Sequence, residues 1–167
     1  VGELKWALGL HVTRTSCGNV TLSQEAFVAD LLARADMTDC HGRFTPADPL
    51  IKLSTSMCPV TPADIAEMKG LPYASYRSLV DSVLYLALCT RPDISFAVSQ
   101  LARFVNNPGM QHWLQLKHLL RYLKQTAAYG ITYYCKQCME AHKDSVDRLV
   151  VYTDSDWGTS PDQRRSV

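Results

Sequence analysis

The sequence lacks the features that mark membrane, secreted and disulfide-stabilised proteins. No hydrophobic run approaches the roughly 18 residues that a transmembrane helix needs, and no basic-then-apolar leader opens the chain, so neither a membrane partner nor a targeting signal is predicted. Six cysteines in 167 residues are too few for a disulfide scaffold, which predicts reduced thiols. Apolar residues still make up 47% of the chain, enough for a hydrophobic core.

Acidic residues are missing from one long stretch. The net charge of the chain is only +1, but residues 94–139 contain no Asp or Glu and five Lys or Arg. Three of these bases, Lys117, Arg121 and Lys124, share one stripe of a helix predicted over residues 111–125, beside its apolar face. Such a block is typical of polyanion contact and predicts binding of nucleic acid. A solvated surface whose acids lie elsewhere in the sequence gives the same pattern.

Hydrophobic periodicity predicts an α+β fold. Alternation predicts strands and helical spacing predicts helices, with Ser23 as the N-cap of the first helix and a hairpin turn at Gly18–Asn19. The proline-rich residues 43–72 are predicted to form a linker or an irregular connection. We predict strands over residues 4–13, 20–22, 131–134 and 149–153, and helices over residues 24–36, 76–87, 92–105 and 111–125.

Two short patterns could carry chemistry. Asp154 and Asp156 follow a predicted strand, where carboxylates are a common Mg²⁺ or Mn²⁺ site, although an acidic turn in water fits equally. Cys135 and Cys138, with His142 four residues on, suggest zinc, but only three ligands are present and two ordinary cysteines in a polar loop explain the pattern as well. No Gly-rich phosphate loop and no nucleophilic triad is found in the sequence.

Seven stretches in the same order make the chain similar to the Pol polyprotein of copia-type LTR retrotransposons. Each stretch alone is a weak signal, whereas the ordered set is specific and covers nearly the whole chain. The stretches are Gly2–Leu10, Leu22–Glu25, Thr45–Pro49, Tyr85–Leu86 with Thr90–Ile94, His112–Trp113, Leu120–Lys124 and Tyr152–Trp157.

The resemblance implies an arrangement of reverse-transcriptase and RNase H parts. Residues 1–42 would be the end of the palm with a primer-grip-like hairpin and helix, and 43–72 a linker. Residues 73–109 would be thumb-like helices, 110–148 a connection-like basic helix and strand, and 149–167 the truncated start of RNase H. The nucleic-acid-binding residues would then be Lys5, Trp6, Gly9, Arg77, Arg91, Lys117, Arg121 and Lys124.

The resemblance also assigns catalysis and partners. Asp154 falls on the first metal-binding aspartate of RNase H, so the parent enzyme would use Mg²⁺ or Mn²⁺ and would act on an RNA–DNA hybrid or DNA duplex, beside the rest of the polyprotein. It would work in cytoplasmic virus-like particles and in the nucleus. The chain starts at Val1 and is expected to be a piece that lacks the polymerase aspartates and the other RNase H acids. It is therefore expected to be inactive alone and to hold no metal tightly.

Two residues depart from the family pattern, Asp81 and, with smaller consequence, Gln125, each at a position where the family usually has glycine. Asp81 stands where the family usually has glycine in its thumb helix, and it would place a negative charge near the phosphates. This departure favours two alternatives to a working enzyme segment. One is a non-catalytic nucleic-acid-binding remnant, and the other is a decayed element copy with no selected role.

Overall fold

The structure is a computed structural model that describes residues 4–69, 75–136, 138, 161 and 162. The strand predicted over 149–153 and the carboxylates Asp154 and Asp156 lie outside the described residues. The described residues combine an antiparallel sheet with helices, so the predicted α+β class is confirmed. None of the helices formed by the described residues is long and apolar enough to cross a membrane.

Within the part of the chain that the structure describes, four strands form one antiparallel sheet in the order β1-β2-β3-β4. Hydrogen-bonded neighbours include the pairs Val12 with Leu22 and Leu22 with Ile131, so the last strand joins the edge of the opening hairpins. The strands are β1 (Trp6–Ala7), β2 (Leu10–Arg14), β3 (Val20–Ser23) and β4 (Gly130–Tyr133).

The single strand predicted over residues 4–13 is wrong, because the chain reverses in its middle. Leu8 and Gly9 have φ angles of 50° and 76°, and they form a two-residue turn between the paired residues Ala7 and Leu10. Two positive φ angles in a two-residue loop are typical of a type I′ hairpin, for which glycine at the second position is a favoured residue. The alternation of apolar and polar residues continues through the turn, so the sequence pattern does not reveal it. Because Leu8 lies at the tip of this turn, 91% of its surface is exposed.

The described residues form five α-helices, all between β3 and β4 in chain order. They are α1 (Glu25–Arg34), α2 (Pro62–Lys69), α3 (Tyr76–Cys89), α4 (Ser95–Ala102) and α5 (Met110–Gln125). Single turns of 3₁₀ helix lie at Thr55–Met57 and Pro92–Ile94. The predicted helices 24–36, 76–87 and 111–125 are confirmed, whereas the helix predicted from Pro92 begins as the 3₁₀ turn.

Two local predictions fail for identifiable reasons. Ser23 ends β3, and Gln24 stands at the N-cap of α1 without capping it, because its side-chain oxygen accepts from the Thr90 hydroxyl at 2.7 Å. The proline-rich segment is not wholly irregular. Its helix α2 begins where Thr61 and Asp64 exchange hydrogen bonds of 3.2 Å each, a reciprocal cap in front of a helix that has proline in its first position.

One hydrophobic cluster joins the helices. Leu31 of α1, Leu79 of α3, Val98 of α4 and Leu120 of α5 are all fully buried in it. Leu53 of the proline-rich segment is buried in the same cluster. The described parts of the segments that the resemblance separates as palm, thumb and connection therefore share a core.

Candidate nucleic-acid interface

Helix α5 is anchored in the core and leaves one face for other contacts. Trp113, Leu116, Leu120 and Leu123 are buried, as the apolar stripe predicts. At its start, the fully buried His112 accepts a hydrogen bond from the Gly109 N–H at Nδ1, at 2.9 Å. Burial lowers the pKa of His112, which keeps the ring neutral and able to accept that bond. The predicted basic residues occupy the remaining face.

The segment that follows α1 lies along this basic face. The Arg43 N–H donates to the Arg121 carbonyl at 3.2 Å, and the His118 ring nitrogen Nε2 lies 2.9 Å from the Thr45 carbonyl oxygen. These bonds place the exposed Arg43 next to the helix and leave the neighbouring Phe44 with 83% of its surface exposed. We call Arg43, Lys117, Arg121 and Lys124 the basic patch.

The cations of the basic patch have different surroundings. Lys124 donates to the carbonyl oxygens of Thr38 and Cys40, so its ammonium holds the turn after α1 in place. The Lys117 ammonium lies 5.9 Å from the centre of the Trp113 ring. Arg121 is half-buried. Its Nε atom is covered and has no hydrogen-bond partner among the described residues. Within the described ranges, neither Arg121 nor Lys124 forms an ion pair with a carboxylate.

The other predicted contact residues cluster around the first hairpin and α3. Lys5 is exposed, and Trp6, 55% exposed, stacks on the His11 ring with 4.6 Å between centroids. Gly9 lies in the tight turn, which is held against α3 because the Tyr85 hydroxyl donates to the Leu8 carbonyl.

The exposed face of α3 continues away from that turn. Arg77 is exposed and donates to the Asn106 side-chain oxygen at 2.7 Å. A shallow groove between α1 and α3 is lined by Phe27, Tyr85, Arg77 and Asp81 among others. Asp81, which departs from the family pattern, is exposed there and lines the same groove as Arg77.

Arg91, which is also predicted to contact nucleic acid, lies inside the fold. Its guanidinium is buried, with 1% of the residue exposed, and it donates to both oxygens of Asp93 at 2.8 and 2.9 Å. It also donates to the Thr126 carbonyl at 3.0 Å and hydroxyl at 2.6 Å, which ties the α3–α4 junction to the end of α5. Partial burial raises the pKa of Asp93, but the bonds from Arg91 and from the Tyr122 hydroxyl outweigh it and lower that pKa below its ordinary value.

Sequence reasoning missed Arg43 and Phe44. Both lie in the proline-rich stretch, and nothing local indicates that this stretch packs on a helix about 70 residues later. Their adjacency was a usable signal, because an exposed arginine beside an exposed aromatic residue is a common combination at single-stranded nucleic-acid sites.

The carboxylate chemistry that the resemblance assigns cannot be built from the described residues. Asp154 lies outside them. Among the described residues, the only cluster of three or more potential metal ligands consists of the thiols of Cys17, Cys135 and Cys138. Thiolates are poor ligands for Mg²⁺ and Mn²⁺, which prefer oxygen, so this cluster does not serve the predicted metal.

Known proteins match the chain along almost its full length. It is 35% identical over 167 residues to "Retrovirus-related Pol polyprotein from transposon TNT 1-94" of Nicotiana tabacum, an alignment that covers 99% of the chain and 12% of that protein. It is 36% identical over 160 residues to the corresponding polyprotein from transposon RE1 of Arabidopsis thaliana, covering 96% of the chain and 10% of the relative. It is also 31% identical over 167 residues to "Uncharacterized mitochondrial protein AtMg00810" of Arabidopsis thaliana, with 100% and 61% covered.

No family model and no solved structure matches the chain. The chain spans about a tenth of the length of the two transposon polyproteins, at 12% and 10%. The resemblance seen in the ordered motifs is confirmed by these alignments, and the chain belongs to the family of copia-type retrotransposon Pol polyproteins, of which it is a segment.

Proposed function

We propose that the chain is the part of a reverse transcriptase that holds template–primer nucleic acid, followed by the start of RNase H. Its family membership supports a polyprotein role. The order of its parts fits the proposal, since a hairpin and helix precede a helical region and a basic helix. In this proposal the hairpin is the primer grip at the end of the palm, α3 and α4 belong to the thumb, and α5 with β4 belongs to the connection.

The observation that carries the binding proposal is the basic patch. Helix α5 contains no acidic residue, and the exposed Arg43 adds a second guanidinium to that of the half-buried Arg121. Guanidinium groups donate two parallel hydrogen bonds to phosphate oxygens, and an exposed aromatic ring such as that of Phe44 offers a surface on which a base can stack. The patch is therefore suited to a sugar–phosphate backbone more than to a neutral ligand.

The hairpin and α3 supply a second contact in this proposal. Trp6 offers an aromatic face, the exposed Leu8 stands at the tip of the turn, and Arg77 is positioned to approach a phosphate. The hydrogen bond from the Tyr85 hydroxyl to the Leu8 carbonyl holds the turn against the helix that carries Arg77. The contact with Asn106 orients the Arg77 guanidinium without neutralising it.

Catalysis belongs to the parent polyprotein in this proposal. Asp154 would supply one carboxylate to an RNase H site that binds Mg²⁺ or Mn²⁺. The chain alone is proposed to be inactive on RNA–DNA hybrids. The partners would be the template–primer duplex and the rest of the polyprotein, in virus-like particles and in the nucleus.

Binding can be measured by fluorescence anisotropy of a labelled RNA–DNA hybrid at several salt concentrations. The affinity of the native chain should fall steeply with salt, because binding to phosphates releases counterions. The double variant Arg43→Gln/Arg121→Gln should bind more weakly, with a log–log salt slope smaller by about two, one for each lost phosphate contact.

The matched control for this experiment is Lys52→Gln, which removes an exposed positive charge from a position outside the basic patch. It should leave the salt slope unchanged. Equal slopes for the native chain and the double variant would overturn the proposal that the basic patch binds phosphates. A loss in the control half as large as that in the double variant, in proportion to the one charge removed against two, would show that only the net charge matters.

A further inference from the structure

Three thiols from two distant parts of the chain meet at one end of the sheet. Cys17 lies in the turn between β2 and β3, while Cys135 and Cys138 follow β4, and their sulfur atoms all lie within 4.8 Å of one another. The pairing of Val20 with Tyr133 brings these segments together, since each thiol-bearing segment begins within a few residues of that pair. All three cysteines are free, with Cys17 exposed and the other two half-buried.

Backbone hydrogen bonds fix this arrangement. The Cys135 N–H donates to the Asn19 side-chain oxygen at 2.8 Å, which holds the end of β4 against the turn. The turn is closed by bonds of 3.0 Å from the Gly18 N–H to the Thr15 carbonyl and from the Thr15 N–H to the Asn19 carbonyl. Gly18 has a φ of 95°, which disfavours any other residue, and a β-carbon added there would lie 3.5 Å from the Cys135 β-carbon.

The sulfur atoms already receive polar contacts suited to thiolates. The Cys138 N–H donates to the Cys135 sulfur at 3.5 Å, and the Thr15 hydroxyl lies 3.0 Å from the Cys17 sulfur. Donors of this kind orient metal-bound thiolates and spread their negative charge. Lys136, exposed between the two later cysteines, adds a positive charge to the same segment.

We propose that Cys17, Cys135 and Cys138 form a zinc site that fastens the β2–β3 turn to the end of β4. Zinc favours thiolate ligands in a tetrahedron, and Zn–S bonds of about 2.3 Å separate neighbouring sulfurs by about 3.8 Å, inside the limit observed here. The thiols bind as thiolates and release their protons to solvent. Water or another ligand takes the fourth position. A disulfide would use two of the sulfurs and leave the third without a role.

This inference does not depend on nucleic-acid binding. The role of the zinc site is structural, since a metal at this position would join a turn and a strand end that are more than 100 residues apart in sequence. The pair Cys135 and Cys138 is visible in the sequence, but its third ligand is not, because Cys17 reaches it only through the pairing of β3 with β4.

The test uses the purified, fully reduced and chelator-treated chain, titrated with Co²⁺ as a spectroscopic substitute for zinc. One equivalent should produce the intense thiolate-to-cobalt charge-transfer band and the visible bands of tetrahedral cobalt, and Zn²⁺ should then displace the cobalt. Cys17→Ser, Cys135→Ser and Cys138→Ser should each weaken binding by at least about tenfold. Cys89→Ser, which changes a half-buried cysteine outside the cluster, is the control and should bind as the native chain does.

A second readout keeps the test decisive if a serine variant fails to fold. In the native chain, Zn²⁺ should slow alkylation of Cys17, Cys135 and Cys138, but not of Cys89, as followed by peptide mass spectrometry. The absence of a cobalt spectrum in the folded native chain would overturn the proposal. So would native affinity in Cys17→Ser, or a mass loss of two hydrogens without metal uptake, which would identify a disulfide instead.

Discussion

At the scale of single residues, Arg91 shows how burial decides what a charged side chain does. The residue lies in a stretch shared with the family, and a cation there suggests contact with phosphates. In the fold it donates to the Asp93 carboxylate, the Thr126 carbonyl and the Thr126 hydroxyl, and its charged group lies 5.5 Å and 5.4 Å from the rings of Tyr122 and Tyr129. These bonds use four of the five N–H groups of the guanidinium, and with only 1% of the residue exposed a phosphate has no access to the fifth.

We expect Arg91→Ala to reduce the free energy of unfolding by about 3 kcal/mol, at the low end for breaking a buried ion pair, because Asp93 keeps partial contact with water. The Asp93 side chain is 35% exposed. Arg91→Lys should lose roughly half as much, since an ammonium cannot reproduce the two parallel bonds to the carboxylate. Urea unfolding followed by circular dichroism measures both changes.

The control for this prediction is Arg34→Ala, which breaks the exposed ion pair between Arg34 and Asp30. It should cost less than about 1 kcal/mol, as exposed pairs do. If Arg91→Ala kept native stability but weakened binding of the RNA–DNA hybrid, Arg91 would be a nucleic-acid contact after all.

At the scale of elements, most of the helices and the hairpin of β2 and β3 could be predicted, whereas helix α2 and the pairing of distant segments could not. Three helices follow from apolar spacing that agrees with their buried faces. The pairing of β3 with β4 could not be found in this way, because β4 lies more than 100 residues later and hydrophobic alternation does not indicate which strands pair. The hydrogen bonds around Arg91 could not be predicted for the same reason. Only Asp93 is close in sequence, whereas Tyr122 and Thr126 come from the end of α5.

The turn at Leu8 and Gly9 offers a test at this scale. Leucine at a φ of 50° is strained, whereas asparagine tolerates this region and precedes glycine in the most favoured two-residue hairpins. Leu8→Asn should therefore raise the free energy of unfolding by about 0.5–1 kcal/mol, and hydrogen exchange at the Val12 N–H, which is bonded to the Lys5 carbonyl, should slow.

The opposite change is the control. Gly9→Ala should destabilise the same hairpin by about 1 kcal/mol, because alanine avoids positive φ. The strain at Leu8 also bears on function. If the exposed leucine touches the primer, Leu8→Asn will stabilise the chain and still weaken hybrid binding. No gain in stability from Leu8→Asn would contradict the strain that we infer.

At the scale of the whole molecule, the predicted contact residues divide between two surfaces. One is the basic patch on α5 and Arg43, which the 38–45 segment borders through its bonds to Lys124 and Arg121. The other is the hairpin tip with the exposed face of α3. Sequence reasoning found most of the cations but could not sort exposed from structural ones, because that distinction depends on long-range packing. Lys124 and Arg91 are structural in this sense, because Lys124 donates to two backbone carbonyls and Arg91 to a carboxylate and to Thr126.

The second surface contains its own test, because Asp81 places a carboxylate on the face that carries Arg77. Asp81→Asn removes the charge and keeps the size of the side chain. If α3 lies along the duplex with the carboxylate ~7 Å from a phosphate, the repulsion is about 0.6 kcal/mol in water, and the variant should bind the hybrid about threefold more tightly. The gain should shrink at high salt, where such interactions are screened.

Asparagine is preferable to glycine for this experiment, since glycine within a helix would cost about 1 kcal/mol of stability and confuse the result. Glu67→Gln removes an exposed negative charge from α2 and is the control for net charge. A threefold gain in Asp81→Asn alone would place the α3 face against nucleic acid and make Asp81 the feature that weakens this segment relative to its family. Equal affinities for the native chain and both variants would remove α3 from the interface and leave the basic patch as its centre.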